Sequence, residues 1–546
     1  MAALSLVRDQ SEPLVDWLEA SLHDIAGRDP LGLNTITTDR ILPQLLPGIL
    51  QLSERARYFS IYSWMLWQFA ERRRPATTDE LDRFIRRREF ELCLAMRLCK
   101  HCEAESAIGT LSARPHITAG EDPLQRGVSV ESSKGGFGLY YRTPLVELGA
   151  VARVGTPLGE DAMPTPVEVL WRGDPRAVAL AHTFHDAIKT TRYYGEFERT
   201  SDPIPRQVLE ELAEQVCLCR LPYRERERDA IRTLIFEPAN EDPAILAACD
   251  ARRRAFALFL SLLDADPQVA YDLGRFWRAL IGRFEANPTA NDVAGRSAAP
   301  WAALAMKECV QEAICSIWTH FCRSGLHGQP SEGLSRNALS AMIHQLADGS
   351  DLALDEISLS FSAGEAAVPA RRRLSDAAAE IDWNRLRAWT AKSNSGASGL
   401  AALLIFTTRV PDPREVHPLW GEIARRGSEH QDGLLGIVSL VSRRLRSEPT
   451  VVELLEWLIR RFIIGPHEVI AYSKLPEATF RFSWEETGRL HFFNPGGAGL
   501  ERFYPSDDRR GVMANLSRDL GYWTVVASDE PRLTGDGRKL IAEAFG

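Results

Sequence analysis

No run of about eighteen apolar residues occurs in this 546-residue chain, so no membrane-spanning helix is expected. The first residues, Met1-Ala-Ala-Leu-Ser-Leu-Val-Arg8, lack the basic and then long apolar regions of a secretory leader. There is no internal repeat at solenoid spacing and no long low-complexity tract. Positive charge is not in excess: 65 Lys and Arg face 74 Asp and Glu, a net charge of −9. That balance argues against a surface uniformly coated with nucleic acid, while leaving room for a local basic patch. Cysteine is sparse. Nine in a chain of this length fit reduced thiols in the cytoplasm, and the odd number would leave one unpaired in a secreted form.

What remains is ordinary globular material, 45% hydrophobic and 25% charged. The length suits about three or four domains with a large core. One stretch organises the rest, Pro47 to Phe69. Ser53 is an expected N-cap with Glu54 in the first turn, and Arg72, Arg73, Arg74 and Pro75 close the far end. Between them Phe59, Tyr62, Leu66 and Phe69 share one face, Tyr58, Ile61 and Met65 lie beside it, and Trp64 and Trp67 cover another. A helix apolar nearly all round must be buried by its neighbours.

Ser53-Glu-Arg-Ala-Arg-Tyr-Phe-Ser60, followed by that aromatic helix, resembles a segment of uncharacterised bacterial domain-of-unknown-function proteins found near restriction and anti-phage genes. A second matching stretch is Gly135-Gly-Phe-Gly-Leu-Tyr-Tyr-Arg142, with Leu145 and Gly149 after it. Together the two cover about a tenth of the chain. The resemblance implies a context, bacterial defence, rather than a mechanism.

Along the chain, a first helix is expected from Pro13 to about Ile25. Thr77-Thr-Asp-Glu80 is a capping box for a helix reaching about Glu103, with Arg86 to Arg88 on its outer side. Residues 112–172 read as an elaborated loop region with one short hairpin. Asp174-Pro175 opens a strong helix to about Tyr194, and Pro205 opens the next. Further helices are expected near 223–236, 243–263, 267–286 and 300–323. Gly325 to Pro330 reads as a linker, and Ser393 to Gly399 as a polar loop inside a second helical segment.

The last hundred residues change character. Ala478 to Trp484 alternates as a strand and turns at Gly488 into Leu490 to Phe493. Ser506 to Leu520 is helical and ends at Gly521. Two short strands and a helix capped by Thr534 follow. This order, with Leu533-Thr-Gly-Asp-Gly-Arg-Lys-Leu540, resembles the wing of winged-helix domains.

Three groups of residues carry candidate chemistry. His182, His185 and Asp186 fall on one helix face, with Lys189 one turn on. Locally they resemble the His-Asp step of HD-type metal phosphohydrolases, which implies a divalent metal that activates water. Arg55, Arg57 and Lys134 are candidates for an anionic-ligand cleft, with internal carboxylates as the plainer partners of the two arginines. Arg509, Arg510, Asn515 and Arg518 are candidate nucleic-acid contacts, opposed by Asp507, Asp508 and Asp519. Cys99-Lys-His-Cys102 has the spacing of half a zinc site. Cys217-Leu-Cys219 looks too close for a standard knuckle, so both pairs are read as buried structural thiols on helices.

The fold expected is mainly α, a multi-lobed helical protein with a C-terminal winged-helix-like α+β module. The expected segments are 1–325, 331–445 and 447–546. The expected function is a non-enzymatic cytoplasmic component of an anti-phage defence or DNA-associated complex, without a cofactor. Its expected partners are other protein subunits of a defence-type operon, with duplex DNA a further candidate through residues 447–546. The alternative is a helical metal-dependent phosphohydrolase using His182, His185 and Asp186.

Overall fold

In the computed structural model the described residues are 29–72, 77–102, 106–157, 163–393, 395–473, 480–493, 509–526 and 530–546. The helix expected at Pro13 to Ile25, the Arg73 to Pro75 stop and the start of the Ser506 helix lie outside them. Helix predominates, and the sheets among the described residues are four two-stranded antiparallel hairpins. No helix among these residues is long and apolar enough to cross a membrane. The chain divides into two compact units, each made of two segments: 1–43 with 272–507, and 44–271 with 508–546. These boundaries differ from the expected segments, because compactness follows contact while turn residues mark only local breaks.

The unit containing 44–271 is built round the buried helix, α1 (Arg57–Arg72). Phe59, Ile61, Tyr62, Trp64, Met65, Leu66 and Phe69 are all buried, as the unbroken apolar surface predicts. Ser53 does not cap it. Its hydroxyl donates to the Tyr140 carbonyl at 2.6 Å, and the Asp519 carboxylate accepts from the Ala56 N–H at 3.0 Å. A carboxylate at that end also complements the helix dipole. α2 (Thr78–Arg97) carries the expected capping box, with Thr77 and Glu80 each accepting from the other's backbone N–H. Its basic run is not an outer face throughout. Arg88 is buried, pairing with Glu91 at 2.6 Å and with Glu198, because Glu91 is itself buried and needs a cation.

The expected loop region holds the hairpin β1 (Val151–Ala152) and β2 (Val169–Leu170), and also two short helices, Thr110–Thr118 and Arg142–Glu147. Asp174 caps α3 (Pro175–Ile188) as expected, accepting from the Arg176 N–H at 2.9 Å. α3 packs along α1, with Trp64 and Phe184 ring centroids 5.3 Å apart. α4 (Arg206–Val216) packs on α2, and α5 (Glu225–Phe236) on α3. α6 (Pro243–Ala265) follows, and its Arg252 is also buried, donating to the Ile235 carbonyl at 2.5 Å.

In the other unit, α7 (Leu273–Ala286) leads to α8, one 36-residue helix from Val293 to Gly328. The expected linker at Gly325 is therefore helical through Gly328. Gly325 is there because the Phe492 ring lies on it, where an added Cβ would meet ring carbons at 2.3 Å. Residues 331–445 also contain a hairpin that sequence reading missed, β3 (Ala353–Leu354) with β4 (Ile357–Ser358). The expected polar loop at 393–399 is mostly the first turn of α9 (Gly396–Arg409). Gly399 faces α8 so closely that a Cβ would sit 2.8 Å from the Ala313 carbonyl oxygen, so small residues here mark helix contact. β5 (Phe482–Trp484) pairs with β6 (Leu490–Phe492), as the alternation predicts.

The chain then returns to complete the first-described unit. α10 (Arg510–Asp519) ends at Gly521, whose φ of 78° is the left-handed conformation that glycine tolerates. β7 (Trp523–Val525) pairs with β8 (Pro531–Leu533), and Thr534 caps α11 (Gly535–Phe545). Both helices pack on α6.

Candidate metal centre

α2 ends at Arg97, and the Cys99 N–H closes the turn on the Met96 carbonyl at 3.1 Å. α4 ends at Val216, and Cys217 leaves it in an extended conformation before the 3-10 turn Leu218–Tyr223. Because α2 and α4 pack together, the residues that follow their C-terminal ends meet. The Sγ atoms of Cys99 and Cys219 are 3.6 Å apart, those of Cys102 and Cys217 3.4 Å, and those of Cys217 and Cys219 3.5 Å. All four lie within 4.8 Å of one another, the one such grouping of potential ligands among the described residues. None is disulfide-bonded.

The pair that faces Cys99 and Cys102 is Cys217 and Cys219, so the two thiol pairs expected separately lie together in the fold. The helix expected to reach Glu103 ends at Arg97, which frees Cys99 and Cys102 from it, and Cys217 likewise follows the end of α4. In long-range terms the partners are 115 and 120 residues apart, and no local spacing records that.

Three features surround the thiols. The His101 N–H donates to Cys99 Sγ at 3.4 Å, while the His101 ring turns away to Glu214 at 3.0 Å. Arg57, at the start of α1, donates to the Cys217 carbonyl at 2.5 Å and the Gln215 carbonyl at 2.7 Å. The same guanidinium pairs with Glu227 of α5 at 2.9 Å, both side chains being buried. Cys217 is buried and the other three are half-buried. Burial acts to raise the Cys99 thiol, but hydrogen bonds from the His101 N–H and the other three thiols outweigh it and leave Cys99 below the ordinary thiol value. Burial pushes Cys219 up to about 12 and raises Cys217 as well. Two helix C-termini end here, where their dipoles favour a cation.

The other candidate groups are placed differently. His182 and His185 lie against the Trp67 ring, with centroids 5.2 and 5.0 Å away, and Asp186 pairs with Lys189 at 2.6 Å. The hydrogen bond from Lys189 holds the Asp186 carboxyl below its ordinary range. The structure therefore keeps these three on one face, and brings no second set of metal donors to them among the described residues. Arg55 forms a two-pronged pair with Asp519 at 2.9 Å, and Arg57 is occupied as described. Lys134 reaches Asp82 at 3.2 Å and Glu168 at 3.4 Å. Each member of the expected anion cleft thus meets a carboxylate of the fold.

The glycine-rich loop beside Lys134 cradles a carboxylate too. The Gly136 and Phe137 N–H groups donate to Glu89 at 3.0 and 2.8 Å, joined by the Tyr62 hydroxyl at 2.8 Å and by Ser129. Of the expected nucleic-acid contacts, Arg509 is buried, Arg510 donates to the Ala270 carbonyl at 2.5 Å, and Asn515 bonds Glu54 at 3.4 Å. Arg518 is exposed, with its guanidinium 5.7 Å from the Trp523 ring centroid.

The other unit carries a polar group that sequence reading missed. Lys307 and Glu308 of α8 are buried together at 2.7 Å, with Thr37 bonded to both. In sequence they are two charges in a long helix. Thr37, far away in sequence, bonds both, and the helices packed on α8 take the pair out of water. Comparison with protein-family models, curated proteins and solved structures found no match for the chain.

Proposed function

We propose that this chain is a non-enzymatic, cytoplasmic component of a bacterial anti-phage defence or DNA-associated complex, acting by holding a partner protein. The observation that supports this reading is the use made of the charged groups in the 44–271 unit. Arg55, Arg57, Lys134 and Asp186 each engage an opposite charge of the same fold, so they serve its shape. Such groups build a rigid framework, and a rigid framework suits recognition. Large apolar side chains on its surface offer contact area: Leu111 is 80% exposed and Tyr223 78%.

Within the proposal, residues 447–546 carry the winged-helix-like module, a reading supported by the helix–hairpin–helix order of residues 510–545. Arg518, Arg532, Arg538 and Lys539 are the exposed basic side chains of that last segment, suited to phosphate contact. The test is co-purification with the products of adjacent genes, together with a salt titration of duplex DNA binding. A stoichiometric complex is expected. Arg518→Ala with Arg532→Ala should reduce the salt slope by roughly one to two. Phosphoester hydrolysis by the purified protein that disappears in Asp186→Ala, with no complex formed, would overturn the reading in favour of a metal-dependent hydrolase.

A further inference from the structure

We infer that Cys99, Cys102, Cys217 and Cys219 form a structural zinc site that ties the end of α2 to the end of α4. The inference is independent of the function proposed above. Four thiolates round a zinc ion at about 2.3 Å stand roughly 3.8 Å from one another. The observed separations of 3.4, 3.5 and 3.6 Å, with every pair inside 4.8 Å, match the edges of such a tetrahedron. An iron–sulfur cluster places several atoms between its thiolates and sets them further apart, so the volume fits a single ion. Soft thiolate donors in tetrahedral array select zinc over the hard cations.

Four protein donors close the coordination shell. A catalytic zinc keeps one position for water or substrate, so this set is built for structure. Binding replaces four S–H protons by one divalent ion, releasing the protons to solvent and leaving a net charge of −2 on the centre. The Arg57 guanidinium, bound to the Cys217 carbonyl at 2.5 Å, holds the backbone turn. The His101 N–H bond to Cys99 Sγ at 3.4 Å is the second support, of the kind that orients metal ligands from the outer layer. The ion does what local sequence cannot. It joins residues 115 and 120 positions apart.

The test uses the full chain, purified without chelator and analysed for metals by mass spectrometry. About one zinc per chain is expected. Replacement by cobalt should give the strong visible bands and near-ultraviolet thiolate charge transfer of a tetrahedral four-sulfur site. Cys102→Ser with Cys219→Ser should abolish stoichiometric zinc and lower Tm by on the order of 10 °C, whereas Cys93→Ser should retain the metal. Should the double variant fail to fold, protection of four thiols from alkylation in the native protein, lost on chelation, provides the same reading. Protein free of zinc that also fails to take up added zinc or cobalt would overturn the inference. So would full zinc retention in the folded double variant, or iron with cluster absorption. Ready formation of a disulfide in place of metal uptake would instead make the thiols a redox pair.

Discussion

Two regions of the same unit present metal-ligand residues, and they differ in how the residues arrive. His182, His185 and Asp186 come from one face of one helix. In the structure they stay there, against Trp67 and Lys189. The four cysteines come from two turns far apart in sequence, delivered by the packing of α2 on α4. Helical spacing places side chains side by side on a surface. A coordination shell needs donors that face one another across a volume, and that requires two elements. Sequence made the first region look the richer, because i, i+3 and i+4 are visible in a string of letters and convergence is not.

The sharpest way to break this comparison is at the link between the cysteine turn and the buried helix. Arg57→Ala should cost about 3–5 kcal/mol in denaturant unfolding, because Glu227 is left buried without its cation. It should also weaken zinc retention, since the Cys217 carbonyl loses its donor. Unchanged stability would mean that the pair is solvated in solution and that the second layer round the thiols is unimportant.

A slightly smaller effect is expected from the core alone. Leu66→Ala in α1 should cost about 2–5 kcal/mol, the range for large-to-small core changes, with zinc content unaltered. Loss of zinc in this variant at temperatures where it remains folded would show that the metal centre and the core are not separable in the way described. At the bottom of the scale, Asp186→Ala should change stability by within about 0.5 kcal/mol and leave zinc untouched, because its partner Lys189 is an exposed neighbour on the same helix. A large loss of stability, or of bound metal, would show that the histidine face does more than cover Trp67.

The parts of the fold that could be read from sequence were those written locally. The burial of α1 follows from apolar residues on every side, the Thr77–Glu80 box and the Asp174-Pro175 start from helix-end chemistry, and the Gly521 stop and Thr534 cap from the same rules. What escaped depended on distant partners. Ser53 has the right side chain to cap α1, but Asp519 takes the place because Arg55 holds it there. Gly325 and Gly399 look like breaks in a helix, and are instead the points where a ring or a carbonyl comes too close for a larger residue. The cysteine pairs belong to this second class, which is why each pair alone looked inert. Of the candidate site, the first pair's spacing was legible and its completion was not.

The carboxylate of Asp519 has a consequence in time. It is made 464 residues after Arg55, and at about 5–20 residues per second that is a delay of roughly 20–90 s. During translation the guanidinium and the open end of α1 stand ready without it, while the whole 272–507 stretch is being threaded out. The 44–271 unit therefore has a built-in waiting period, and a chain truncated between residues 271 and 519 lacks the acid that closes that end. Nascent chains arrested near residue 480 should be cut by protease around Arg55 far faster than chains arrested well past residue 546 by an added tail. Equal resistance would mean that the unit closes without its late partner.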